Sequence, residues 1–142
     1  MRSTIALIAG LAAFAAVAGP LDEKKAELHL QSVASGDIES IMRDYADDAW
    51  LDWVGGPLDG RYRGKAAIRE AWKKFSALND GQPRPARIGK LSQQNNPKGA
   101  TLEAGVEYGG KTPVKVWHVM VYRDGMLSTE IWQISPGLKL GE

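Results

Sequence analysis

Apolar residues recur with a helical period over the first half of the chain and with a two-residue period over the second, the change coming after Arg87. Between Leu21 and Ser35, the residues Ala26, His29, Leu30, Val33 and Ala34 fall at i, i+3, i+4, i+7 and i+8, one face of an amphipathic helix. Gly36 stops it, and Asp37 is a good N-cap for a second, shorter helix whose stripe is Ile38, Ile41, Met42 and Tyr45. Ala49 to Val54, carrying Trp50 and Trp53, reads as a strand that Gly55-Gly56-Pro57 breaks. Leu58 to Arg63 is a loop or a short strand. From Lys65 a third helix places Ala67, Ile68, Ala71, Trp72, Phe75 and Leu78 on one stripe. Asn79-Asp80-Gly81 ends that helix, and Pro83 and Pro85 keep it from resuming.

The strands follow. Ile88 to Gln93 and Thr101 to Tyr108 flank an Asn96-Pro97-Lys98-Gly99 turn, and Gly109-Gly110 leads into Val114 to Tyr122. Asp124-Gly125 is a strong hairpin signal before Leu127 to Ile134, and Pro136 closes the sheet. The order α-α-β-α-β-β-β-β, helices first and an antiparallel meander after, predicts an α+β domain.

The N-terminus carries a different pattern. Arg2 gives a basic start, Ile5 to Val17 is an unbroken apolar and small run, and Ala16-Val17-Ala18 matches the small-x-small pattern of signal peptidase. A membrane anchor needs about 20 apolar residues, and Pro20, Asp22, Glu23, Lys24 and Lys25 end this run too soon. We therefore expect residues 1–18 to be a cleaved signal peptide and residues 19–142 to form a single periplasmic or secreted domain, with no membrane attachment after cleavage. Removing 18 of 142 residues takes one base, Arg2, so 17 basic residues face 17 acidic ones. A neutral chain has no excess to neutralise a phosphate backbone, so nucleic acid is not an expected partner. With no cysteine, disulfides and thiolate chemistry are excluded. The core alone must hold the exported domain together, which is feasible at this size.

Three stretches, Gly36-Asp37-Ile38 with Tyr45-Ala46-Asp47-Asp48-Ala49, Tyr62-Arg63-Gly64-Lys65-Ala66-Ala67-Ile68, and Tyr122-Arg123-Asp124-Gly125-Met126-Leu127 with Glu130-Ile131-Trp132, stand in an order that resembles the nuclear-transport-factor-2-like superfamily. Its SnoaL-like (polyketide cyclase) and ketosteroid isomerase-like branches are the nearest in pattern. The resemblance covers about residues 22–135. It implies a cone-shaped roll, three helices against a strongly curved, mainly antiparallel sheet, with a pocket at the open end. Fold alone does not set the activity. Counted from the shared anchors, the three catalytic places of the isomerase branch hold His29, Trp53 and His118. None matches the branch's tyrosine, aspartate and aspartic acid, so the steroid isomerase mechanism is not implied. Asp52 is one residue from the first-strand place, which turns it to the other face.

Strand alternation, taken with the resemblance, points Val114, Val116, His118, Met120 and Tyr122 inward, and likewise Ser128, Glu130, Trp132 and Ile134. His118 and Glu130 are then neighbours in an apolar cavity, the expected catalytic pair if there is one. Glu130 also resembles the late-strand carboxylate base of some cyclases. The plainer alternative is that the two hydrogen-bond each other and fill the core. His29, Tyr45, Trp53, Trp72, Met120 and Trp132 are the expected ligand-binding residues. For His29 the favoured reading is a satisfied core histidine. No ligand spacing points to a metal or to any cofactor. Asp47-Asp48 is expected to end the second helix and bond to backbone. Arg61 and Arg63 either rim the pocket and hold an anion or are solvated charges, the latter being the default. Trp117, Val119 and Val121 share the opposite sheet face, where an apolar patch suggests a homodimer interface. Three readings follow: a domain binding a small hydrophobic or aromatic molecule, an isomerase, cyclase or dehydratase using Glu130 and His118 for proton transfer, or a homodimerisation module without ligand.

Overall fold

A computed structural model describes residues 23–141. The expected signal peptide lies outside the described residues. The elements are α1 (Glu23–Ser35), α2 (Ile38–Arg43), β1 (Tyr45–Val54), β2 (Gly60–Arg63), α3 (Gly64–Ala77), β3 (Ala86–Ile88), β4 (Ser92–Asn96), β5 (Gly99–Tyr108), β6 (Val114–Arg123) and β7 (Met126–Ile134). The class is α+β, as expected, with three helices on a curved, open sheet of seven strands. The sheet runs β2-β1-β7-β6-β5-β3, and β4 also pairs with β5. All pairings are antiparallel except β1 with β7.

Three differences from the sequence pattern have local causes. Tyr45 begins β1 rather than closing the α2 stripe. Asp44 ends α2, and its carbonyl accepts the Leu127 amide at 2.7 Å, so the chain joins the sheet at once. A register shift between Tyr45 and Trp50 turns both Asp47 and Asp48 outward. They are exposed strand residues, Asp47 pairing with Lys65 at 3.3 Å, and not a helix end. Two successive exposed acids erase the alternation that would have marked the strand. Third, the single strand expected over Ile88 to Gln93 is two strands, β3 and β4, both paired along β5 with an interruption at residues 89–91. The short-strand option for Leu58 to Arg63 is realised as β2. Asp124 and Gly125 both have positive φ, 51° and 75°, as a two-residue primed hairpin turn requires.

The registers build the cone interior in rows. Leu51, Glu130, Met120 and Leu102 stand side by side across β1, β7, β6 and β5, and Trp53, Trp132, His118 and Ala104 form the next row. Ile134, Val116 and Val106 follow towards the mouth. The helices close over these rows with Leu30 and Val33 of α1, Ile41 and Met42 of α2, and Ile68, Trp72 and Phe75 of α3, all buried. Outside the sheet, segment 135–141 folds back across β5. A side chain at Gly105 would strike Leu138 and Leu140 at 2.9 and 3.1 Å, so this glycine makes room for the tail. The Lys115 ammonium ties the tail down through the Leu138 carbonyl at 3.2 Å.

Candidate functional site: a buried proton-ordered chain beneath an apolar mouth

The inward face of α1 and the middle rows of the sheet assemble one continuous polar chain. His29 Nδ1 lies 3.0 Å from Asp44 Oδ2, and His29 Nε2 lies 3.1 Å from Glu130 Oε2. The Tyr45 hydroxyl donates to the same carboxylate oxygen, and the Trp72 indole N–H donates to Tyr45 Oη at 3.1 Å. On the other side, His118 Nδ1 is 3.3 Å from Glu130 Oε1, and His118 Nε2 is 2.9 Å from the Tyr108 hydroxyl. His29, His118 and Glu130 are fully buried.

Electrostatics assign the protons. Burial alone would pull the His29 imidazolium down, but Glu130 and Asp44 together outweigh it and raise its pKa to about 9. Burial would push the Glu130 carboxyl up, but His29 and His118 hold it well below the usual carboxylate range. For His118 burial is the largest influence and wins over the pull of Glu130, with repulsion from His29 added, so this ring stays neutral. Burial and the nearby Glu130 charge keep Tyr45 and Tyr108 protonated. At neutral pH His29 is therefore a cation donating to both Asp44 and Glu130. His118 donates from Nδ1 to Glu130 and accepts the Tyr108 proton at Nε2. Every donor then meets one acceptor, which is the condition under which a buried polar network rigidifies a core.

Aromatic rings fill the remaining interior. Trp132 is sandwiched between Tyr108 (5.1 Å, 20°) and Trp53 (4.7 Å, 29°), with Trp72, Phe75 and His118 edge-on around it. The deep pocket expected beneath the indoles is thus occupied by side chains. The expected ligand-binding residues His29, Tyr45, Trp72, Met120 and Trp132, and the expected catalytic pair His118 and Glu130, are all buried, the stacked rings and the polar chain using the space between sheet and helices. Among the described residues, no group of three or more His, Asp or Glu side chains is disposed to hold a metal ion.

Open apolar space lies instead at the mouth. A depression of about 230 Å³ is lined by Trp53, Leu58, Phe75, Leu78, Val114 and Ile134, with Pro57, Arg84 and Thr112 completing it. Of the ligand-contact residues expected from sequence, only Trp53 borders it. Leu78 on its rim is 48% exposed, a large apolar side chain left in water.

Arg84 was not legible as a site residue. Its neighbours Pro83 and Pro85 signal an extended segment but not where the side chain goes. The backbone is pinned by the Arg84 amide donating to the Ala34 carbonyl at 2.7 Å and the Gly109 amide donating to the Pro85 carbonyl at 2.9 Å. The guanidinium then reaches inward over the Phe75 ring, 4.7 Å from its centroid. Its Nη1 donates to the Gly109 and Thr112 carbonyls at 3.1 and 3.0 Å. The arginines weighed in the sequence, Arg61 and Arg63, lie elsewhere. Both are exposed and stack on Trp50 on the outer face, and Arg61 also pairs with Asp52 at 3.3 Å.

No family profile and no curated protein matches the sequence. Solved structures do match. A protein of unknown function from Pseudomonas putida KT2440, described as NTF2-like, superposes with a TM-score of 0.67 at 21% identity, covering 78% of this chain and 81% of that one. An NTF-2 like protein of unknown function from Burkholderia xenovorans LB400 gives 0.62 at 18% identity, over 83% and 85%. A ketosteroid isomerase-like protein from Erwinia carotovora atroseptica SCRI1043 gives 0.62 at 20%, over 80% and 94%. The chain has the NTF2-like fold, as its sequence pattern led us to expect.

Proposed function

We propose that this protein is an exported domain that binds a small hydrophobic or aromatic molecule at the mouth of its cone. The observation that carries this reading is the apolar depression floored by Trp53 and Phe75 and rimmed by the exposed Leu78. Apolar concavities with a few polar groups are the usual seats of small ligands. The proton-transfer reading is weaker on geometry. Glu130 accepts three donors and is paired with a cationic imidazole, so it is a poor base. Its side chain is fully buried. The polar chain instead reads as the fixed floor of the cone. Dimerisation through Trp117, Val119 and Val121 is compatible with binding at the mouth, because those residues are on the outer face.

Native mass spectrometry of protein purified from its own host should show a small molecule travelling with the chain. Titration with prodan, a neutral naphthalene dye, should give a blue-shifted emission that the mouth-filling variant Val114→Trp abolishes without lowering the unfolding midpoint. If nothing co-purifies, and prodan ignores the wild type or binds the filled variant equally well, the mouth is not a ligand seat.

A further inference from the structure

We propose that the molecule seated in the mouth carries a carboxylate, and that Arg84 is the residue that recognises it. This rests on the reading of the mouth as a ligand seat and adds the chemical class of the ligand. Arg84 is 5% exposed, yet among the described residues no carboxylate stands within ion-pair distance of it. Charged side chains are almost never buried without a counter-charge. The other cation of the neighbouring loop, Lys111, is already paired with Asp80.

The structural duties of Arg84 use only part of its donor set. Nη1 binds the two carbonyls that hold the loop after β5, while Nε is buried and, among the described residues, neither Nε nor Nη2 has a hydrogen-bond partner. A guanidinium presents its donors as a planar fork, and the adjacent Nε–H and Nη2–H form an edge that matches the two oxygens of a carboxylate. That edge is the unused one, and Arg84 lines the depression beside Phe75 and Thr112. The remaining lining is apolar. An apolar cavity of about 150 Å³ accepts benzene, so the mouth, at about 230 Å³, admits a body of one or two rings. The occupant this describes is an aryl carboxylic acid, its ring over Trp53 and Phe75 and its carboxylate on Arg84.

The test compares benzoic, 2-naphthoic and 1-pyrenebutyric acids with their primary amides, by quenching of tryptophan fluorescence at pH 7.5, where the acids are ionised. A charge-assisted pair should favour the best-fitting acid over its amide by about tenfold or more in the wild type. Arg84→Gln should bring the acid-to-amide ratio down to about one, and Arg84→Lys should keep part of the preference. Equal binding of acids and amides, with prodan bound, overturns the carboxylate and leaves the seat standing. A preference that survives Arg84→Gln also overturns it. No binding by acids, amides or prodan overturns both. If circular dichroism shows Arg84→Gln unfolded, the wild-type acid-to-amide ratio and the Arg84→Lys variant decide.

Discussion

Raising the pH from 6.5 to 9 is expected to cost this protein about 3 kcal/mol of stability, because one buried imidazole must give up its proton. His29 titrates near 6.5 in an unfolded chain and at about 9 in the folded one. A raised histidine contributes stability that is complete below pH 6.5 and is lost as pH climbs through 9. The 2.5-unit gap, at about 1.4 kcal/mol per unit, gives about 3.5 kcal/mol in full, of which about 3 kcal/mol falls between pH 6.5 and 9. The ring is fully buried, so solvent does not screen it. Below pH 6.5 the sign reverses. The folded state holds His118 neutral, whereas the unfolded chain protonates it. Below the ordinary carboxyl range Glu130 adds a further loss, because it stays ionised only when folded. The stability profile should therefore peak near pH 6.5. Urea unfolding followed by tryptophan fluorescence at half-unit steps from pH 5 to 9.5 measures it directly. The alkaline limb should vanish in His29→Gln. A profile flat to within about 1 kcal/mol between pH 6.5 and 9 would refute the assignment of the proton to His29, as would a limb that persists in the variant.

Neutralising one member of the buried pair should cost more than neutralising both. His29→Gln and Glu130→Gln each strand a buried charge, at about 3–5 kcal/mol, whereas the double variant should recover much of that in a denaturation cycle. Trp72→Phe removes the donor to Tyr45 Oη and shrinks a wholly buried ring, and should lower stability by about 2 kcal/mol in the same assay. Gly110→Ala forces a left-handed backbone (φ +108°) and sets a methyl 2.6 Å from Asn79 Oδ1. We expect at least about 1–2 kcal/mol of destabilisation by thermal melting, because Asn79 holds this loop through the Lys111 amide at 2.8 Å. Sedimentation of the wild type should give two chains, and Trp117→Glu should give one; a monomeric wild type removes the outer-face interface.

How far the site was legible depended on periodicity. Alternation puts His118 and Met120 on one face of their strand and Glu130 and Trp132 on one face of the next, the family resemblance chooses that face as the inner one, and the helical stripe puts His29 inward with them. Periodicity is a local property, so it survives folding. It could not show that His29 and Glu130, 101 residues apart, share a proton. It also did not reveal Asp44 and Tyr108 as the two ends of the chain. Tyr45 was assigned to the wrong element because the outward turn at Asp47 and Asp48 hides the start of β1.

The sequence by itself determined the α+β class and which late-strand residues share a face, because these follow from residue periods and turn chemistry along the chain, and its family resemblance added the cone and the inner side. Only the tertiary structure decided that the interior is full. Whether Trp53, Trp72 and Trp132 surround a hollow or pack one another depends on how far sheet and helices stand apart, and no local pattern encodes that distance. The same holds for Arg84, whose flanking prolines orient the backbone while the loop after β5 draws the guanidinium inside.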